Sequence, residues 1–137
     1  MSVIRPLLIL LAVSATSCVI AQELDGSAPL SCKVSGAFDC LPGQSSCAKL
    51  VPESKIDPVY TVNVAGKEVH SPFRTSLLTI AHSTTNKESL VLQGADSASA
   101  WSAMIKKATG QMTITVADRK GAYVAFGQCA VAKAAAK

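Results

Sequence analysis

The sequence predicts a mostly β domain: a small antiparallel meander closed into a barrel or a sandwich, with a disulfide-stapled loop near its N-terminus. Short stretches of alternating apolar and polar residues recur over residues 59–129, and turn-forming residues separate them at short intervals. The sequence shows no regular alternation of strand patterns with helix patterns. A length of 137 residues suits one domain.

The first segment, residues 1–21, has the pattern of a secretory signal peptide. Arg5 precedes an apolar run too short to remain as a spanning helix, and Ala21 ends a cleavage site ahead of Gln22. The alternative is lipoprotein processing, with Cys18 as a lipid anchor. Both predict bacterial export without a transmembrane segment: we expect a periplasmic or secreted protein, with an outer-membrane lipoprotein as the second possibility.

The next region lacks the alternation of a strand. Residues 22–31 contain Gly26 and Pro29 and are predicted to be a flexible linker. Residues 32–58 combine three cysteines with prolines and glycines, a composition typical of a loop. The single domain is therefore predicted over residues 32–129, and its N-terminal part is expected to depend on disulfides.

Four cysteines follow the leader: Cys32, Cys40, Cys47 and Cys129. An even number in a small exported domain predicts two disulfides, for which three connectivities are possible. We expect a local Cys40–Cys47 bridge and a Cys32–Cys129 bridge that ties the start of the domain to its last strand. The spacings contain no CxxC pair, so a metal site or a redox pair is disfavoured.

Strands follow from residue 59 onward. The alternation predicts them at 59–64, 67–71, 77–82, 89–93, 111–116 and 122–129, with a polar turn at 83–88. Residues 130–137 are rich in alanine and lysine and are predicted to be a disordered tail.

One segment, residues 97–109, fits two structures. As a strand, it places Trp101, Ala103 and Ile105 on one face; as a short helix, it forms an apolar stripe that includes Met104. We favour the strand because a hairpin turn leads directly into the strand at 111–116. Trp101, the sole tryptophan, is expected in the core, and the alternative is a residue that stacks on a ligand.

The sequence lacks most of the common catalytic motifs. It contains no GxSxG, HExxH, GxGxxG or P-loop pattern, and its carboxylates are scattered. His70 and His82 lack neighbours at the spacing of metal ligands. The doublets Lys106-Lys107 and Arg119-Lys120 are isolated from stacking aromatics. We therefore expect no enzyme activity, no cofactor, no metal and no nucleic-acid partner.

The order of leader, cysteine-rich entry, β-meander and closing Gly127-Gln128-Cys129 resembles that of small exported bacterial β-barrels. These include lysozyme inhibitors of the periplasm and calycin-like domains. The resemblance implies architecture and a role by analogy, since no inhibitor motif transfers residue by residue.

Two functions remain as expectations. The first is an exported, non-catalytic binding module of the cell envelope, inhibitor-like in mode, whose unknown partner is an envelope or extracellular protein or glycan. Its expected contact residues lie in polar loops: Pro42, Gln44, Asn86, Lys87, Arg119 and Lys120. The alternative is a carrier of a small apolar ligand, held inside a calycin-like barrel by Leu78, Leu90, Leu92, Trp101 and Ile114.

Overall fold

The computed structural model describes residues 23–52, 57–75 and 77–133. Within this part of the chain every regular element is a β-strand, and the strands form one antiparallel sheet curled into a half-barrel. The predicted all-β antiparallel class is confirmed. The predicted leader, including Cys18, lies outside the described residues, as does the end of the predicted tail. The described residues contain no helix that could span a membrane.

Among the described residues, ten strands make up the sheet. They are β1 (Leu30–Cys40), β2 (Ala48–Lys49), β3 (Val59–Asn63), β4 (Glu68–His70), β5 (Leu78–Thr79), β6 (His82–Thr85), β7 (Ser89–Ala95), β8 (Ser99–Lys106), β9 (Gln111–Asp118) and β10 (Ala122–Val131). Their spatial order is β5-β4-β3-β1-β10-β9-β8-β7-β6, and the short β2 pairs with β1. Strands β7 to β10 form a meander in which each strand pairs with its neighbours in sequence.

The ambiguous segment 97–109 contains a strand, so the favoured prediction is confirmed and the short helix is wrong. In β8 the residues Trp101, Ala103 and Ile105 face inward and are buried, whereas Met104 is 50% exposed on the outer face. A helical stripe would have buried Met104 together with Trp101. Pairing with both β7 and β9 overrides the helical preference of this alanine-rich segment.

The loop predicted over residues 32–58 is wrong in its first third, because β1 is an eleven-residue strand at the centre of the sheet. Strand β1 pairs with β10 on one side and with β3 and β2 on the other. The register with β10 shifts between Val34 and Gly36, so a β-bulge at Ser35 accommodates the irregular sequence. The strand also starts at Leu30, inside the segment predicted as a linker.

The polar turn predicted at 83–88 is also wrong in part, because β6 occupies His82–Thr85. All four of its residues are exposed, and an all-polar strand has no apolar alternation to reveal it. Between β5 and β6 the chain changes partners: the Ile80 N–H donates to the Lys67 carbonyl, and the Ala81 N–H donates to the Gln93 carbonyl. The link at Ile80 and Ala81 therefore connects the two edge strands of the sheet, β5 and β6.

Inward-facing side chains from the strands form one hydrophobic core. Trp101 is 5% exposed and packs within this cluster, as expected for a core residue. The other side chains that a carrier would need around a cavity, Leu78, Leu90, Leu92 and Ile114, are fully buried in the same cluster. Their packing leaves the interior occupied by the protein's own side chains.

Two disulfides connect the cysteines that follow the leader. Cys32–Cys129 joins β1 to β10 at directly opposed positions, and Cys40–Cys47 closes a local loop between β1 and β2. Disulfides persist in oxidising compartments and are rare in the cytosol. The two bridges therefore indicate a domain that folds outside the reducing cytosol.

Candidate functional site

Several loops meet at one end of the half-barrel, here called the stapled end: residues 40–52, 71–75, 95–99 and 118–121. Cys40 pairs with Ala122, and Gly121 lies against the backbone of Cys40 and Leu41. Arg119 donates a long hydrogen bond, 3.4 Å, to the Ser97 carbonyl. The disulfide loop and the turns that follow β7 and β9 are thus neighbours in space.

Four of the six predicted contact residues lie at this end. Pro42 and Gln44 are exposed in the disulfide loop, and Arg119 and Lys120 are exposed in the turn between β9 and β10. The structure therefore brings together two loops that the sequence separates by more than seventy residues.

The other two predicted contact residues, Asn86 and Lys87, lie at the opposite end of the sheet. The Asn86 side-chain oxygen accepts the backbone N–H groups of Glu88 and Ser89, each at 2.8 Å. Lys107 Nζ donates to the Asn86 carbonyl at 3.2 Å. Asn86 therefore shapes the turn between β6 and β7, a role typical of asparagine in tight turns.

Arg74 anchors the segment 71–75 across the stapled end. Its guanidinium lies 2.8 Å from Asp118 Oδ2 and donates to Ser99 Oγ at 3.2 Å. Its Cζ also lies 5.7 Å from the centre of the Tyr123 ring, within cation–π range. The side chains of Arg74 and Asp118 are 20% and 32% exposed, so this ion pair is better shielded than a surface pair.

Phe73 packs beside two tyrosines beneath this anchor. Its ring centre lies 6.1 Å from that of Tyr60 and 6.2 Å from that of Tyr123, in tilted and edge-on arrangements. Both tyrosine hydroxyls are buried. Within the described residues neither makes a hydrogen bond of normal geometry, although Ser71 and Tyr123 lie close enough to influence the hydroxyl of Tyr60. Burial raises the pKa of Tyr60, and the neighbouring Tyr123 raises it further.

A groove of about 480 Å³ opens on the outer side of Phe73. One wall is formed by Leu50, Val51 and Pro52, and the other by residues 72–75. Val51 is 71% exposed, so this rim presents an apolar side chain to solvent. A smaller cavity of about 110 Å³ shares Phe73 and Leu50 with the groove and reaches residues 34–37 of β1.

Aspartates fix the two turns that border this end. Asp118 Oδ1 accepts the N–H groups of Lys120 and Gly121, and Asp96 Oδ1 accepts those of Ala98 and Ser99. These backbone hydrogen bonds hold the pKa of both carboxyl groups below their ordinary value, and the charge of Arg74 lowers them further. The turns are therefore built around ionised carboxylates.

A lowered pKa in the folded state predicts acid sensitivity. The ionised Asp118 stabilises the fold above its unfolded pKa of about 3.9, and this contribution is lost as the pH falls through the lower folded pKa. We expect the melting temperature to fall as the pH drops below about 4, and Asp118→Asn to flatten this dependence and to lower the melting temperature at pH 7. Thermal unfolding followed by circular dichroism at a series of pH values measures both effects.

Glu68→Gln is the control for this experiment, because Glu68 accepts no side-chain hydrogen bond within the described residues. An Asp118→Asn variant whose melting temperature keeps the full slope below pH 4 would contradict the assigned role of this carboxylate.

The two histidines lie on different strands. His70 of β4 lies opposite Thr61 of β3, and His82 of β6 lies opposite Gln93 of β7. Within residues 23–52, 57–75 and 77–133, no group of three or more His, Cys, Asp or Glu side chains could hold a metal ion. What the stapled end offers is a fixed surface with an apolar groove, exposed cations and two buried hydroxyls.

Sequence reasoning missed Arg74, Phe73 and the tyrosine pair. Arg74 and Asp118 are 44 positions apart in the sequence, and no motif links them. Comparison with family models, with curated proteins and with solved structures found no match. The functional argument therefore starts from the geometry of this chain alone.

Proposed function

We propose that this chain is an exported, non-catalytic binding module of the cell envelope that contacts a protein partner through its stapled end. The observation that carries the proposal is the convergence of four exposed loop residues, Pro42, Gln44, Arg119 and Lys120, at one end of the sheet. Inhibitors of other proteins use surfaces of this kind, in which fixed loops project from a rigid β-framework.

Preorganisation supports this choice of surface. The Cys40–Cys47 bridge closes one loop, and Asp118 fixes the turn that carries Arg119 and Lys120. Loops that are already ordered lose less conformational entropy when a partner binds. Exposed Lys49 adds to the cations near this end, which favours an acidic partner surface and fast association.

The carrier of an apolar ligand ranks second. Such a carrier needs an apolar cavity inside the sheet, and Leu90, Leu92 and Trp101 instead pack against one another and their neighbours in the core. The groove beside Phe73 is open at the surface and bordered by Arg74 and Thr75. A surface groove of this kind suits contact with a partner better than enclosure of a ligand.

The proposal includes export of the protein from the cytosol. The leader pattern over residues 1–21 and the two disulfides both favour an oxidising compartment, either the periplasm or the exterior of the cell. Cleavage ahead of Gln22 yields a free protein, whereas processing at Cys18 yields a lipid-anchored one. The described part of the chain enters the sheet at the end opposite the stapled end, where Leu24 lies near Gly110.

Charge reversal at the stapled end should abolish binding without unfolding the domain. We expect the double variant Arg119→Glu, Lys120→Glu to retain less than about a tenth of the wild-type capture of its partner from envelope extract. The matched control is Lys87→Glu, Lys106→Glu, which changes the same charge away from the stapled end. Quantitative capture on immobilised protein and melting temperatures measure the two effects.

Equal capture by both double variants would refute the stapled end as the contact surface. A loss of capture accompanied by a large fall in melting temperature would instead show that the turn supports the fold, and would also count against the proposal.

A further inference from the structure

The outer face of strands β7 to β10 carries almost no charge. Outward residues alternate with buried ones along these four strands, all of which the structure describes, and only Lys106 among the outward residues has a charged side chain. Asp118, at the end of β9, continues the inward-facing positions and binds Arg74. Surfaces that keep small domains soluble carry charged residues at roughly 25–35% of their positions. This face is therefore depleted in charge, as the centre of a protein–protein interface is.

Large apolar side chains lie in the middle of this face. One row of residues, opposed in register, crosses β7, β8, β9 and β10: Val91, Met104, Thr113 and Phe126. Met104 is 50% exposed and Phe126 is 41% exposed. Phe38 of β1, which is 38% exposed, extends the apolar region beyond β10. Methionine and aromatic residues are enriched at protein–protein interfaces, so this row has the composition of an interface centre.

The polar groups on this face can pair with copies of themselves. The row next to Met104, toward the stapled end, contains Gln93, Ser102 and Thr115, opposed in register on β7, β8 and β9. The hydroxyl oxygens of Ser102 and Thr115 lie 3.0 Å apart. Hydroxyl groups and side-chain amides both donate and accept hydrogen bonds. A second copy of the face therefore supplies partners for the same groups on the first.

The row closest to the stapled end consists of small residues. Four exposed alanines are opposed in register across β7 to β10: Ala95, Ala100, Ala117 and Ala122. Their side chains leave the backbone of the sheet accessible, so another sheet can approach closely. Two sheets that pack face to face lie about 10 Å apart and interlock the side chains of their facing surfaces.

The area of this face suits a weak dimer. With β1 included, five strands about 4.8 Å apart, each with about seven residues at about 3.4 Å spacing, cover roughly 600 Å². The sheet is curled into a half-barrel, so this area is the most that one copy could contribute. Two copies would bury at most about 1,200 Å², at the lower end for specific interfaces. On β1 the outward Lys33 is offset by an ion pair with Asp57.

We propose that this outer face is the interface of a homodimer in which two copies pack their sheets face to face. A charged partner surface would lose the hydration of its charges against a face whose only charged group on β7 to β10 is Lys106. A second copy avoids this cost, because its own face is equally uncharged and its hydroxyls and amides match those of the first. The stapled end lies beyond the ends of these strands, so such a dimer does not depend on the proposed binding partner.

Sedimentation equilibrium of the exported protein tests this interface. We expect a monomer–dimer equilibrium with a Kd in the micromolar range, as suits the limited area. Met104→Lys and Phe126→Lys each place two like charges near the centre of a symmetric dimer, and each is expected to raise the Kd at least about tenfold.

Ala65→Lys is the matched control. Ala65 is exposed in the turn between β3 and β4, so this variant adds the same charge outside the face and should leave the Kd unchanged. Melting temperatures measured below the wild-type Kd identify a variant whose loss of dimer reflects unfolding. The second lysine variant then carries the comparison.

A wild-type protein that stays monomeric at about 1 mM would overturn the proposal. Dimerisation that persists unweakened in both Met104→Lys and Phe126→Lys would also overturn it, because the interface would then lie elsewhere. A monomeric wild type whose capture of the envelope partner is abolished by Met104→Lys would assign the face to that partner instead of a second copy. The experiment on Arg119 and Lys120 judges the stapled end separately.

Discussion

Replacing Cys32 and Cys129 together by alanine is expected to lower the free energy of unfolding by about 5 kcal/mol. The bridge joins residues 97 positions apart, and the chain-entropy model assigns about 4.7 kcal/mol to a closed loop of roughly 100 residues. Both cysteines are also buried between β1 and β10, so their removal leaves unfilled volume in the core. Urea unfolding of the double variant measures the loss.

The Cys40–Cys47 bridge provides the matched comparison. It closes a loop of only 7 positions, for which the same model gives about 2.5 kcal/mol, and the residues it encloses are exposed. The Cys40→Ala, Cys47→Ala variant should therefore unfold at a clearly higher urea concentration than the first variant. Equal losses for the two bridges would show that the long bridge does not act by constraining the unfolded chain.

A second large effect is expected at Gly94, where β5 approaches β7. A Cβ added at Gly94 would overlap the Thr79 carbonyl oxygen and lie 2.5 Å from Trp101 Nε1. Thr79 lies in β5, the short edge strand from which the chain passes to β6 at the other edge of the sheet. Neither the Thr79 backbone nor the Trp101 ring can move away without disturbing its own packing. We therefore expect Gly94→Ala to lower the free energy of unfolding by about 3 kcal/mol, in the upper part of the range for overpacking.

Gly36→Ala is the control for this substitution. A Cβ at Gly36 would meet only the Phe38 ring, at an ordinary 3.7 Å, so the free energy of unfolding should change by less than about 0.5 kcal/mol. Chemical denaturation of both variants measures the difference. A Gly94→Ala variant as stable as Gly36→Ala would mean that β5 does not close against β7 in solution.

The prediction of β7, β9 and β10 from sequence succeeded because their residues carry the alternating pattern themselves, whereas the strand at β8 was favoured over a helix because a hairpin turn leads into β9. In β9 the residues Met112, Ile114 and Val116 alternate with polar ones, and the buried face follows this alternation. A strand with one buried face places an apolar residue at every second position, so the local sequence is enough to detect the strand. The cysteine count likewise predicted two bridges without knowledge of the fold.

Strands β1 and β6 show where local sequence fails. Strand β1 contains a bulge at Ser35 that breaks its alternation, and it is held by pairing with strands distant in the chain. Strand β6 is polar throughout and is defined by its hydrogen bonds to β7. Pairing with a partner strand, distant in the chain for β1 and adjacent for β6, therefore overrides composition in both cases.

The sequence by itself determined the fold class, most strands of the C-terminal meander and the number of disulfides, because each depends on residue spacing along one strand or on a count. The tertiary structure decided which surfaces meet. How the sheet curls determines three features of the stapled end. These are the pairing of Arg74 with Asp118, the approach of the Cys40–Cys47 loop to the turn at Arg119, and the burial of the two tyrosine hydroxyls. Curling brings distant segments together through twist and shear, which no local period encodes.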